Sequence, residues 1–115
     1  MKKIVKSVSV EGFEVLSDNG WVPIKNVHTT VPYELYNLRT ANGLRLECAD
    51  NHIVFTSKLK EVYVKDLNVD DKIMTEDGVS LVSSIEKTKA KVTMYDLEVD
   101  SEDHRYYTDG ILSHN

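Results

Sequence analysis

Apolar residues recur at every second position over short stretches, and turn residues separate the stretches. Ile4 to Val10 sets Ile4, Lys6, Val8 and Val10 on one face. Phe13 to Leu16 leads into Asp18-Asn19-Gly20, and Trp21 to Val27 leads out. Tyr33 to Thr40 and Leu44 to Cys48 flank Asn42-Gly43, the strongest hairpin signal in the chain. Ile53 to Thr56, Val62 to Val64, Lys72 to Thr75, Val79 to Ile85 and Val92 to Val99 read as further strands. Tyr106 to Thr108 and Ile111 to Ser113 bracket a last turn at Asp109-Gly110. Four of the five glycines follow Asn or Asp, the fourth pair being Asp77-Gly78. Such dipeptides tolerate the positive φ angles of tight hairpins.

No window shows a sustained helical stripe with caps. Val64 to Val69 has room for one helical turn around Lys65, Asp66 and Leu67. Pro23 and Pro32 are expected at strand edges or connections, because proline cannot donate to a ladder. No linker, repeat or low-complexity segment divides the 115 residues, so residues 1–115 read as a single all-β domain of many short strands.

Composition narrows the function classes. With 41% hydrophobic and 29% charged residues, disorder is not expected. No apolar run approaches the roughly 18 residues of a membrane-spanning helix, and no signal-peptide pattern opens the chain. A net charge of −5 without a Lys/Arg block argues against non-specific nucleic-acid binding. Cys48 is the only cysteine, which excludes an internal disulfide and a multi-cysteine zinc site. It reads as a small buried hydrophobe between Leu46 and Ala49. The expectation is a cytoplasmic protein with no metal and no cofactor. Trp21, Tyr33, Tyr36, Tyr106 and Tyr107 are expected to pack in the core or pair across strands.

The chain opens on a lysine-flanked strand and ends on His114-Asn115 directly after an apolar strand. Domains usually end in a few mobile polar residues, so this ending suggests a cut made by design or by chemistry. Asparagine supplies such chemistry. Its amide nitrogen attacks its own carbonyl, forms a succinimide and expels the next residue, given geometry and proton transfer. His114 supplies an imidazole whose ordinary pKa suits that transfer.

Tyr95-Asp96-Leu97-Glu98-Val99, an acidic turn, then His104-Arg105-Tyr106-Tyr107-Thr108-Asp109-Gly110-Ile111-Leu112-Ser113-His114-Asn115 resembles the C-terminal splicing motifs of inteins. Asn42 to Phe55, with His52 after Cys48-Ala49-Asp50-Asn51, resembles the intein motif carrying the N-terminal-side histidine. Ala49 stands where a threonine is usual. Val64 to Ile73 is similar to the intein connection in which a helical turn leads into a strand, with Asp70 where glycine is common.

The resemblance implies an all-β Hedgehog–intein horseshoe in which the two chain ends meet. It implies protein splicing, a single-turnover autocatalytic process rather than the work of a turnover enzyme. Asn115 would cyclise, His114 would assist as acid or hydrogen-bond donor, and His104 would act with it as base or relay. His52 would polarise or protonate the amide at the first step, and Asp96 would couple the two ends of the reaction. Without the hydroxyl missing at Ala49, that step would rely on Asn51, a main-chain N–H or strain.

The Cys or Ser that opens inteins has no match here; Met1-Lys2-Lys3-Ile4-Val5 corresponds to a point after that opening motif. The expectation is therefore the C-terminal fragment of an atypically split intein, without its first strands until a partner binds. That partner would be a short N-terminal fragment, a few strands of about 5–6 residues each, bearing the first Cys or Ser. The other partners would be the flanking exteins, with no nucleic acid and no membrane. A Hedgehog-type autoprocessing domain and a non-catalytic β-rich binding module stand as the alternatives.

Overall fold

The computed structural model describes residues 2–114. Ten strands follow in chain order: β1 (Ile4–Ser9), β2 (Glu14–Ser17), β3 (Gly20–Thr40), β4 (Arg45–Ala49), β5 (Ile53–Phe55), β6 (Glu61–Tyr63), β7 (Lys72–Thr75), β8 (Gly78–Val99), β9 (Arg105–Thr108) and β10 (Ile111–His114). A single 3₁₀ turn, Val64–Asp66, falls inside the segment that sequence marks for a helical turn. The strands form one open antiparallel sheet in the order β1-β3-β8-β7-β10-β5-β6, with β2 and β4 also on β3 and β9 on β10. The all-β expectation holds.

The four Asx-Gly pairs sit in hairpin turns, and their glycines have φ between 84° and 96°. Two of these turns use the same hydroxyl device. Ser17 Oγ donates to Gly20 O at 2.7 Å and accepts from the Asn19 N–H at 3.1 Å. Thr75 Oγ1 donates to Gly78 O at 2.7 Å and accepts from the Asp77 N–H at 3.2 Å. The side chain thereby satisfies main-chain groups that the tight turn leaves without ladder partners.

Sequence predicts four short strands where the structure has two long ones, β3 of 21 residues and β8 of 22. They pair over most of their length, with register shifts at Ile24/Asn26, Thr29/Pro32, Glu34/Tyr36 and Arg39/Thr40. Each shift bends the ribbon without ending it. Pro32 lies inside β3, beside one of these shifts and opposite Thr93. Its missing N–H therefore falls where the ladder is already interrupted. Pro23 is also inside β3, opposite Glu14, rather than at a connection.

The main core gathers Leu38, Leu46, Cys48, Val54, Val64, Leu67, Ile73, Val82 and Ile111. Burial of each Leu, Ile or Val side chain contributes about 1.5–3 kcal/mol. Alternation explains β4: Leu46 and Cys48 face inward while Arg45 and Glu47 face water. A smaller cluster of Val22, Val99 and Tyr106 lies under the other end of the ribbon. Trp21, expected in the core or in a cross-strand pair, takes the second place and is 66% exposed. It pairs with Leu16 in the β2–β3 hairpin and adds nothing to either core cluster. All of β1 is exposed as well, so its apolar face covers no core.

Candidate functional site

His52 is fixed at both main-chain ends. Its N–H donates to Ala49 O at 3.1 Å, and its carbonyl accepts from the Val64 N–H at 2.9 Å. The adjoining Lys65 N–H donates to Asp50 O at 3.0 Å. The 3₁₀ turn thus clamps the loop between β4 and β5. The ring is buried, and its Nε2 lies 2.9 Å from Ser113 Oγ. Burial, helped by the nearby Lys2 ammonium, pushes its pKa down to about 3. The resting imidazole is therefore neutral near pH 7, and any proton it donates must first be accepted. Ala49 is buried and carries no hydroxyl. Asn51 Oδ1 is buried with no hydrogen-bond partner among the described residues.

His104 lies immediately before β9, in the left-handed region at φ 56°. A polar network holds the loop that leads to it. Arg105 Nη2 lies 2.8 Å from Asp18 Oδ2 and 3.1 Å from Asp103 Oδ2. Asn19 Nδ2 donates to Asp103 Oδ2 at 2.6 Å, and the Arg105 guanidinium stacks 5.7 Å from the Phe55 ring centre. Partial burial pushes the Asp103 carboxyl up, but the Arg105 main-chain N–H and guanidinium outweigh it and leave the pKa below its ordinary value.

The network sets the His104 ring 6.0 Å from the His114 ring, at an interplanar angle of 60°. On its other sides, His114 meets Phe55 at 6.2 Å and Glu61 Oε1 at 3.5 Å from Nε2. Its Nδ1 is buried without a partner among the described residues. Asn115, the residue expected to cyclise, lies outside the described residues.

Successive side chains of β10 point to opposite faces, so His52, on Ser113, and His104, beside His114, border different clefts. One cleft, of about 320 Å³, is lined by Cys48, Ala49, His52 and Asp96 among others. The second, of about 560 Å³, is lined by Asn51, Glu61, Asp96, His104 and His114 among others. Asp96 and Lys2 border both. The four described site residues expected from sequence therefore gather around one pair of clefts, with Asp96 common to the two. Cys48 lines the first, but burial pushes its thiol up to about 12, so it is no thiolate near neutrality. No group of three or more His, Cys, Asp or Glu gathers for a metal among the described residues.

Four neighbours escape sequence reasoning: Lys2, His28, Glu61 and Ser113. His28 joins a line across three strands, its Nδ1 2.7 Å from Ser7 Oγ and its Nε2 3.0 Å from Glu98 Oε1. Asn26, His28 and Lys25 all hold Glu98 in its charged form, and its pKa falls below the ordinary carboxylate value. No short motif marks these residues, because only the pairing of distant strands brings them to the site.

No protein-family model matches the chain, and no curated protein matches it in sequence. Solved structures do. The VidaL intein is 31% identical, with a TM-score of 0.84 over 88% of this chain and 68% of its own. A variant of the gp41-1 intein is 20% identical, with a TM-score of 0.80 over 99% and 98% of the two chains. A consensus engineered intein with an atypical split site is 24% identical, with a TM-score of 0.73 over 99% and 87%.

Proposed function

The chain belongs to the intein family, and from that premise we propose that it splices in trans, as the C-terminal fragment of a split intein. The first Cys or Ser of an N-terminal fragment attacks the carbonyl before it. A C–S or C–O bond forms, the C–N bond breaks, and the freed amine keeps the proton that the nucleophile gives up. His52, neutral and clamped beside Ala49, accepts and returns that proton. The side chain of the residue after Asn115 then takes the acyl group from the (thio)ester.

Asn115 completes the reaction. Its amide nitrogen attacks its own carbonyl, closes a succinimide and releases the amine of the downstream extein, which rearranges to a peptide bond. His114 donates to the developing oxyanion or the leaving amine, and His104 relays the proton. The reading uses side-chain chemistry alone and calls for no cofactor. Its partners are the N-terminal fragment and the two exteins.

The observation that carries the reading is Asp96, which borders both the His52 cleft and the His104–His114 cleft and can bond a nucleophile shared between them. Fragment binding is supported by β1, an edge strand that leaves Ile4, Val5 and Val8 exposed and offers unpaired main-chain groups. The test joins the chain to a downstream extein and adds a candidate N-terminal fragment with its own extein. A ligated product on a denaturing gel is expected. Splicing of a chain with exteins at both ends and no added fragment would overturn the split reading.

A further inference from the structure

Ser113 and His52 lie 61 positions apart, and both are buried, with relative exposures of 0% and 5%. Which of the two donates in their 2.9 Å contact depends on the His52 tautomer. Ser113 Oγ also lies 3.2 Å from Ile111 O, to which it can only donate. Donation of the hydroxyl proton to this carbonyl leaves Oγ to accept from His52. That requires a proton on Nε2 and leaves Nδ1 as the only acceptor of the ring. Ser113 itself is fixed from both sides, because β10 pairs with β9 at Tyr106 and with β5 at Val54.

We propose that Ser113 is a positioning residue which holds His52 in the Nε2–H tautomer, with Nδ1 free to take a proton at the first acyl shift. The inference deepens the splicing reading and rests on it for the word positioning; the pairing itself can be read without any reaction. Two consequences follow. The strand that carries His114 also carries the group that orients His52, so movement of β10 reaches both clefts at once. Loss of the hydroxyl leaves a buried N–H without an acceptor, and the ring then redistributes between tautomers or turns.

The test has two arms on the full chain. In the first, nitrogen-15 spectra of the His52 ring report the tautomer with no partner added. The native chain should show a protonated Nε2 and an unprotonated Nδ1, and Ser113→Ala should show a mixture or the reverse. In the second, the N-terminal fragment is added and (thio)ester formation is timed. Ser113→Ala should slow it on the order of tenfold, the scale of one hydrogen bond, and Ser113→Thr, which keeps the hydroxyl, should recover both tautomer and rate. A native chain with Nδ1 protonated would overturn the inference, as would Ser113→Ala with native tautomer and native rate. The expected tautomers in a native chain that forms no (thio)ester would support the pairing and count against the splicing reading.

Discussion

Lys2 Nζ lies 3.4 Å from Asp96 Oδ2, and the lysine side chain is only 8% exposed. The pair stands between the two clefts and holds a positive charge near His52. Lys2→Met should therefore raise the His52 pKa above about 3, because charging the ring no longer meets a neighbouring cation. It should stay below the ordinary histidine value, since burial is the larger cause. An NMR titration of the His52 ring checks both limits. No rise in Lys2→Met would show that the ammonium does not act on the ring.

The same histidine makes the fold acid-sensitive. In the unfolded chain it protonates near the ordinary histidine value of 6.5, whereas in the fold it resists until about 3. A depressed folded pKa gives stability that is present above the unfolded value and lost as pH falls through the window between them. Over that window His52 should contribute a slope of about 1.4 kcal/mol per pH unit. Urea midpoints measured across that range should fall less steeply for His52→Gln. Equal slopes for the two proteins would place the acid sensitivity elsewhere.

Gly110 and Gly43 offer a matched pair of turns. Both have positive φ, at 84° and 91°. A Cβ at Gly110 would lie 3.0 Å from Glu76 Oε1 and from both Leu44 δ carbons, whereas one at Gly43 would meet nothing within 4 Å. Gly43→Ala should cost the backbone strain alone, about 1–2 kcal/mol, and Gly110→Ala should cost more. Chemical unfolding of the two variants gives the comparison. The prediction fails if Gly43→Ala is the less stable.

Asn115→Ala removes the nitrogen that attacks. Release of the downstream extein should stop and a branched intermediate with both exteins should accumulate. His52→Ala should slow (thio)ester formation by about 10²–10⁴ and leave some cleavage at Asn115, since His104 and His114 remain. A gel time course of precursor, branched species and products separates the two. Downstream release by Asn115→Ala would refute the cyclisation role.

The hairpin turns could be read from sequence because Asx-Gly chemistry is local: φ above zero at Gly20, Gly43, Gly78 and Gly110 needs no tertiary support. The continuity of β3 and β8 could not. Pro32 reads as an edge or connection residue, and Glu86 to Lys91 falls between the strands expected at Val79 to Ile85 and Val92 to Val99. In the fold the first sits at a register shift, and Glu86, Lys87 and Lys91 lie in the ribbon opposite Asn37, Tyr36 and Glu34. Glu86, Lys87 and Lys91 are exposed, so this stretch of β8 carries no apolar alternation to detect. For Trp21 the sequence left core packing and cross-strand pairing open, and the hairpin edge at Leu16 decides for pairing with the ring exposed. His52, His104 and Asp96 could be found because they stand in recognisable motifs. Ser113, Glu61 and Lys2 reach the site through β10–β5–β6 pairing and the side chain of Asp96, which no local pattern encodes.

β10 is the last strand in chain order, yet it lies between β7 and β5 rather than at an edge. Until it arrives, the partners of Ile111 and Leu112, both fully buried in the finished fold, face water, and β5 and β7 lack their common neighbour. On the ribosome the earlier strands therefore wait for the final segment to emerge before the sheet can close. Its hairpin with β9 is local, but the contacts with β5 and β7 span long sequence separations, which makes that closure slow by nature. The position of β10 thus acts as a timer: His114 meets His104, and Ser113 meets His52, only after synthesis has passed all ten described strands.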